Sequence, residues 1–277
     1  MIRTDAVLAV LSRLTDRDRL LLDWLADHQV LTTPQIDHAL FGSPRVTQRR
    51  LLTLHHAGLI DRFRPLRPGG GSYPWHHVLG RVGADLIAAT RDQPPPRPAD
   101  TLRRARRIAT SRTLDHLLGV NQFFTALAGH GRTHPGAALV RWWSAARCAT
   151  PGAFAPGLIS PVRPDGHGIY RDGDHQTAFY LEHDTGTETI TTLIAKIATY
   201  DIHIARGGPA WPVLFWLPSA AREQHLHEQL DKTLRYQGRR SSIIATGVPA
   251  HHGADDPSDA VWAPHPARSG RRRLIDI

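Results

Sequence analysis

Along the N-terminal third of the chain, apolar positions fall into short helical stripes separated by turn signals. Leu20, Leu21, Trp24 and Leu25 share one side of a helix opened by Thr15-Asp-Arg-Asp, a capping residue followed by early acids. Val30-Leu-Thr-Thr reads as a connector. Thr33-Pro34 starts a second helix, with proline at its first position and Ile36 and Leu40 turned inward. A third helix runs from Arg45 to His56. It sets Leu51, Leu52 and Leu54 toward the core and Arg45, Gln48, Arg49 and Arg50 on the polar side, and Gly58 stops it. Leu59 to Arg64 and Tyr73 to Leu79 form two strands around a Gly69-Gly-Gly-Ser tip, and Gly83 to Ala89 closes with a helix. Three helices, the third basic, and a hairpin with a glycine-rich tip predict a winged helix-turn-helix over residues 10–90.

The pattern then changes. Arg91 to Asp100 holds four prolines and reads as an extended linker over residues 91–100. Thr101 to Arg107 opens a basic helix, either a phosphate contact or a solvated face. Leu114 to Leu127 is a helix with a strong apolar side. Ala138–Ala146, Val162–Tyr170 and Thr177–His183 are strand candidates, the last two joined by a tight Arg171-Asp-Gly-Asp turn. Helix, strand, helix, strand follow at 188–205, 212–217, 219–236 and 241–248. That order predicts an α/β domain with one mixed sheet over residues 101–248. Residues 249–277 lack periodicity and end in Arg-rich sequence, the expectation for a flexible basic tail.

Composition narrows the partners. A net charge of +9 favours polyanions, nucleic acid first. No apolar run is long enough to span a membrane, and the first residues lack a signal-peptide pattern, so the expected location is the cytoplasm. A single cysteine, Cys148, excludes an internal disulfide and a cysteine-based zinc site. The 34 basic residues are almost all arginine; Lys196 and Lys232 are the lysines, so a lysine standing where a site needs one is less easily filler.

The candidate chemistry sits between Arg163 and Tyr200. Asp165 occupies a turn at the start of one strand, and Glu182 lies on the next. Strand alternation points Glu182 and Asp184 the same way. Hydrolysis of a phosphodiester needs a hard divalent cation on oxygen ligands from adjacent elements, together with a nearby positive charge. Asp165, Glu182 and Asp184 are the candidate magnesium ligands. Lys196, just beside the Leu193–Ile197 stripe of the following helix, is the candidate cation. A plainer reading of the same residues is a Pro-Asp-Gly turn and a structural ion-pair cluster. His225-Leu-His227 has the letters of a metal pair, but on a helix the two side chains diverge and cannot share an ion. His76-His77 and His251-His252 read as polar surface.

The arrangement of these acids resembles the PD-(D/E)xK nuclease core, with one departure: Asp184 stands where that family usually places lysine. Further motifs resemble the replication-relaxation proteins of bacterial plasmids and integrative elements, over roughly residues 10–205. They are Thr15-x-x-Asp18, Arg49-Arg50-Leu-x-x-Leu-x-x-Ala-Gly-Leu-Ile60, Val78-Leu-Gly-x-x-Gly83 and Leu114-x-His116-x-Leu-x-Val-Asn121-x-Phe123. Arg163-Pro-Asp165-Gly166, Glu182-x-Asp184-x-Gly186-Thr-Glu188 and Lys196-x-x-x-Tyr200 complete the set. The resemblance implies a role in plasmid replication and DNA relaxation, on double-stranded DNA, beside plasmid replication or mobilisation proteins. With the site intact, the expectation is a magnesium-dependent nicking endodeoxyribonuclease with Asp165, Glu182, Asp184 and Lys196 as its catalytic residues. The alternative is a non-enzymatic replication accessory factor or transcriptional regulator whose nuclease-like domain is a scaffold. Arg45, Gln48, Arg49 and Arg50 on the third helix and Arg62, Arg64 and Arg67 on the hairpin are the candidate DNA contacts.

Overall fold

The computed structural model describes residues 12–65, 70–237, 242–249, 256–266 and 270–277, with the backbone alone for 234–237. The chain is mixed α/β and divides by contact into two compact units, Met1–Thr125 and Ala126–Ile277.

In the first unit, Thr15 caps helix α1 (Asp16–His28). Its side chain accepts from the Asp18 backbone while Asp18 bonds back to the Thr15 amide at 2.7 Å. Val30–Thr32, expected as a connector, is instead a strand, β1. It pairs with β3 (His76–Leu79), which also pairs with β2 (Ile60–Phe63), giving a three-stranded antiparallel sheet in the order β1-β3-β2. Between β1 and β2 run the short helix α2 (Thr33–Ile36), a wide π-type turn (Asp37–Phe41) and α3 (Pro44–His56). Gly42, with φ 70°, takes the left-handed conformation that ends the turn.

Two local expectations fail in this unit. Leu52 is 40% exposed instead of facing the core. His76 and His77 are buried on β3, where burial drives the His77 pKa down to about 3. The unit also extends past the proline-rich stretch. After α4 (Arg81–Thr90), helix α5 (Pro98–Ala109) and the start of α6 (Leu114–Thr133) add Ile108 and Leu114 to a cluster with Val30 and Val78. Asn121, fully enclosed, donates to the Val30 carbonyl at 2.6 Å.

The second unit is built on a six-stranded mixed sheet, β4-β5-β6-β7-β8-β9. Its strands are β4 (Ala138–Ser144), β5 (Gly166–Asp172), β6 (His175–His183), β7 (Val213–Trp216), β8 (Ile244–Gly247) and β9 (Ala263–His265). The first three pair antiparallel, and β5 and β6 are joined by a two-residue turn. β6, β7 and β8 run parallel, because helices α8 (Ile190–Ala205) and α9 (Ala220–Gln237) carry the chain back between them. Near-continuous apolar runs, such as Val213-Leu-Phe-Trp216, suit strands covered on both faces. One face packs Tyr180, Val213 and Phe215 against Ile190, Leu193 and Ile197 of α8 and Leu226 and Leu230 of α9.

The expected flexible tail is in large part built into this unit. β9 pairs antiparallel with β8, Trp262 and Leu274 are fully buried, and Arg271 holds the buried Glu223 at 2.5 Å. Short apolar anchors between prolines and arginines carry no period that sequence reading recognises. His251 and His252 lie outside the described residues.

Gly168, opposite Phe179 in the β5–β6 pair, leaves room for the Phe179 ring, which a Cβ there would overlap. Gly168→Ala is therefore expected to cost about 1–3 kcal/mol through overpacking, read as a lower urea midpoint with an unchanged slope.

Candidate active site and basic face

Glu182 is the penultimate residue of β6. Its side chain lies on the face that α8 covers, since Glu182 is level with the buried Phe215 of β7. On α8, Lys196 and Tyr200 are four residues apart and so project from one side of the helix. Both reach Glu182. The Tyr200 hydroxyl donates to Oε1 at 2.6 Å, and the Lys196 ammonium lies 3.2 Å from Oε2. The lysine also pairs with Glu188 at 2.9 Å. Asp165, one residue before β5, is held against β6 at the same level. Its amide donates to the Leu181 carbonyl at 3.0 Å, and its carboxylate accepts from the His183 amide at 2.8 Å.

Glu182 is 3% exposed, on the floor of a cleft of about 160 Å³. Lys196, Tyr200 and Arg163 are among the residues lining the cleft. Burial, and then the Asp165 charge, push the Glu182 carboxyl up to about 7, against the opposing pull of Lys196 and Tyr200. The same carboxylates raise the Lys196 ammonium above its ordinary value, despite its partial burial. Tyr200 rises well above its usual range, first because it is buried and then because Glu182 faces it.

Sequence reading thus brings Asp165, Glu182 and Lys196 together, and structure adds Tyr200, whose four-residue spacing from Lys196 was the available signal. Asp184 goes elsewhere. Its amide still donates to the Trp216 carbonyl of β7 at 2.9 Å, but its carboxylate is taken by Arg222 of α9, which binds both oxygens, Nη2 at 3.1 Å from Oδ1. The same guanidinium donates to the Glu188 carbonyl at 2.5 Å. Asp184 therefore anchors the loop that leads into α8. Among the described residues, no group of three or more histidine, cysteine, aspartate and glutamate side chains is gathered to hold one ion. His225 is exposed on α9 while His227 bonds Thr246 at 2.7 Å, so those two do not converge.

In the first unit, Arg45, Gln48 and Arg49 are exposed along α3, and Arg64 is exposed on the hairpin with Arg62 half-buried beside it. Arg67 lies outside the described residues. Arg50 is committed inward: its Nε and Nη2 grip the buried Asp18 carboxylate at 2.9 and 2.5 Å. Burial alone would raise Asp18, but hydrogen bonds from Arg50 and Thr15 outweigh it and hold the carboxyl below its ordinary range.

A family model described as replication-relaxation matches residues 22–214. No curated protein and no solved structure matches the chain. No helix among the described residues is long and apolar enough to cross a membrane.

Proposed function

The chain belongs to the replication-relaxation family, and from that premise we propose that it binds double-stranded DNA through its first unit and nicks it through its second. The observation that carries the proposal is the pairing of Glu182 with Lys196 in one cleft, with the Asp165 carboxylate near enough for its charge to act on both. We read the second unit as a PD-(D/E)xK-like core in which the lysine has moved from the strand to α8. The helices and three-stranded sheet of the first unit support a winged helix, with α3 as the groove-reading helix and the β2–β3 hairpin as the wing.

The donors present fit a hard divalent cation such as magnesium. The Asp165 charge acts on Glu182, and the buried Glu182 Oε2 faces Lys196 without a well-aligned hydrogen bond. Burial first, and then the Asp165 charge, raise the Glu182 carboxyl, so a bound cation would favour its ionised form. Asp165 and Glu182 would hold the ion, whose contribution is charge stabilisation at the scissile phosphate. Lys196 supplies a cation at the cleft for a phosphate oxygen or the attacking water. Tyr200 fixes the Glu182 rotamer by donating to Oε1, leaving Oε2 toward Lys196. Asp184, held by Arg222, steadies the loop before α8 and has no direct role in this reading.

Incubation with supercoiled plasmid and magnesium, resolved on a gel, tests the proposal. Wild type is expected to convert supercoiled to open-circular DNA, EDTA to stop it, and Asp165→Ala to abolish it while plasmid binding persists. A wild type that binds plasmid without nicking it leaves the accessory-factor reading in place. Partners among plasmid replication or mobilisation proteins, and a cytoplasmic location, follow from the same proposal.

A further inference from the structure

Between α3 and the β2–β3 hairpin, the first unit carries a groove of about 490 Å³. Trp75 and Leu51 line it, and the exposed Leu52 reaches it from α3. The Arg62 guanidinium lies 4.2 Å from the Trp75 ring centroid, and that of Arg64 lies 5.4 Å away. His77 also lines the groove. Its Nε2 is 2.9 Å from the Thr33 hydroxyl, while its Nδ1 is buried with no hydrogen-bond partner. Burial lowers the pKa of this imidazole, so it adds no charge to the groove wall.

A surface that only grips duplex phosphates needs exposed cations and backbone donors. It has no use for an apolar hollow with an indole in its wall. Arginine planes over an aromatic ring beside an aliphatic wall suit an unstacked nucleobase and its phosphate. The volume is that of an ordinary small-ligand site, enough for a nucleotide.

We propose that this groove takes an unpaired base of locally melted DNA, stacked against Trp75 and Leu52, with its phosphate drawn by Arg62 and Arg64. The occupant is a single-stranded DNA segment. Charge complementarity with the two arginines favours it over an apolar peptide, and an open segment is the form of DNA that replication exposes. The inference rests on the DNA-binding reading given above and adds to it a preference for opened over closed duplex.

Fluorescence anisotropy on a duplex, and on the same duplex carrying a mismatched bubble, tests it with wild type, Trp75→Ala and Trp75→Phe. Wild type is expected to favour the bubble. Trp75→Ala should lose on the order of tenfold in bubble affinity, the scale of one stacked base, with duplex affinity unchanged, and Trp75→Phe should retain most of the preference. Should Trp75→Ala lower the melting temperature, Leu52→Ser carries the same test from the exposed side of α3, with a smaller loss confined to the bubble. Equal losses on both DNAs, or no loss, overturn the groove assignment. So does a Trp75→Ala change from dimer to monomer with DNA affinities unmoved, since the groove then seats a second copy. Duplex binding by wild type without bubble preference sinks the groove alone, whereas binding to neither DNA sinks the DNA-binding reading with it.

Discussion

Glu182→Gln is expected to abolish magnesium-dependent nicking and to leave the protein at least as stable as wild type. The two effects have one cause. Glu182 is buried beside Asp165, and its carboxyl is raised to about 7, so at pH 8 the folded state carries a charge that it holds less well than water does. The sign follows from linkage. A carboxyl raised on folding adds no penalty below its unfolded value near 4.5, and destabilises progressively as pH climbs to about 7. An isosteric amide removes that cost. Part of the gain is lost because Lys196 gives up one partner, but Glu188 keeps the ammonium paired at 2.9 Å. A net rise of roughly 1 kcal/mol, or about 2–4 °C in melting temperature at pH 8, is expected. The gain should vanish below pH 4.5, where the wild-type carboxyl is already protonated.

Nicking responds oppositely, because a ligand for the cation is lost. Charge stabilisation by such an ion is worth several kcal/mol, so cleavage should fall on the order of a thousandfold. A gain in stability with loss of activity identifies a site that trades one for the other. A variant that keeps its nicking rate places the chemistry elsewhere. A variant that loses stability shows that Glu182 is a structural ion-pair partner instead.

How much of this site was legible in advance depended on the range of the interaction. Asp165 was marked by its Pro-Asp-Gly turn, Glu182 by strand alternation and Lys196 by the turn of a helix, all read on elements adjacent in sequence. Asp184 defeats the same reasoning. Arg222, the partner that captures its carboxylate, lies 38 positions further on. No spacing rule reaches that far. Leu52 fails differently: it continues a leucine run, yet its angular position puts it over the groove with Gln48. His76 and His77 look like surface because imidazole is polar, but β3 is the central strand of its sheet, paired on both edges, and both side chains are buried there. The order of strands and helices in the second unit was legible because each element is long or strongly apolar. β9 was not, being three residues with a proline, and it exists through its pairing with β8.

Arg50→Ala is the second substitution expected to have a large effect, on folding and not on recognition. Arg50 stands beside Arg49 on a basic helix, and sequence alone gives the two the same role. Structure separates them. The Asp18 carboxylate is fully buried, caps α1 through the Thr15 amide, and receives two hydrogen bonds from Arg50. Removing the guanidinium leaves a buried charge short of its partner, which costs about 3–5 kcal/mol. The pH dependence checks the cause. Asp18 titrates below its ordinary value, so the stability it contributes is present above the unfolded pKa and is lost as pH falls through the folded one. Without Arg50, burial is the dominant influence on that carboxyl and its pKa moves up. The variant then relieves its penalty by taking a proton, and the gap in unfolding free energy between wild type and variant should narrow steadily from pH 7 to pH 4. Asp18→Asn combined with Arg50→Met should recover much of the loss, because no charge is left behind. Arg49→Ala is the control. Its side chain is exposed, so stability should stay within about 0.5 kcal/mol of wild type. DNA affinity should fall instead, with the salt slope reduced by about one phosphate contact. If Arg50→Ala weakens DNA binding while its melting curve is unmoved, the guanidinium faces DNA and the ion pair with Asp18 carries no stability.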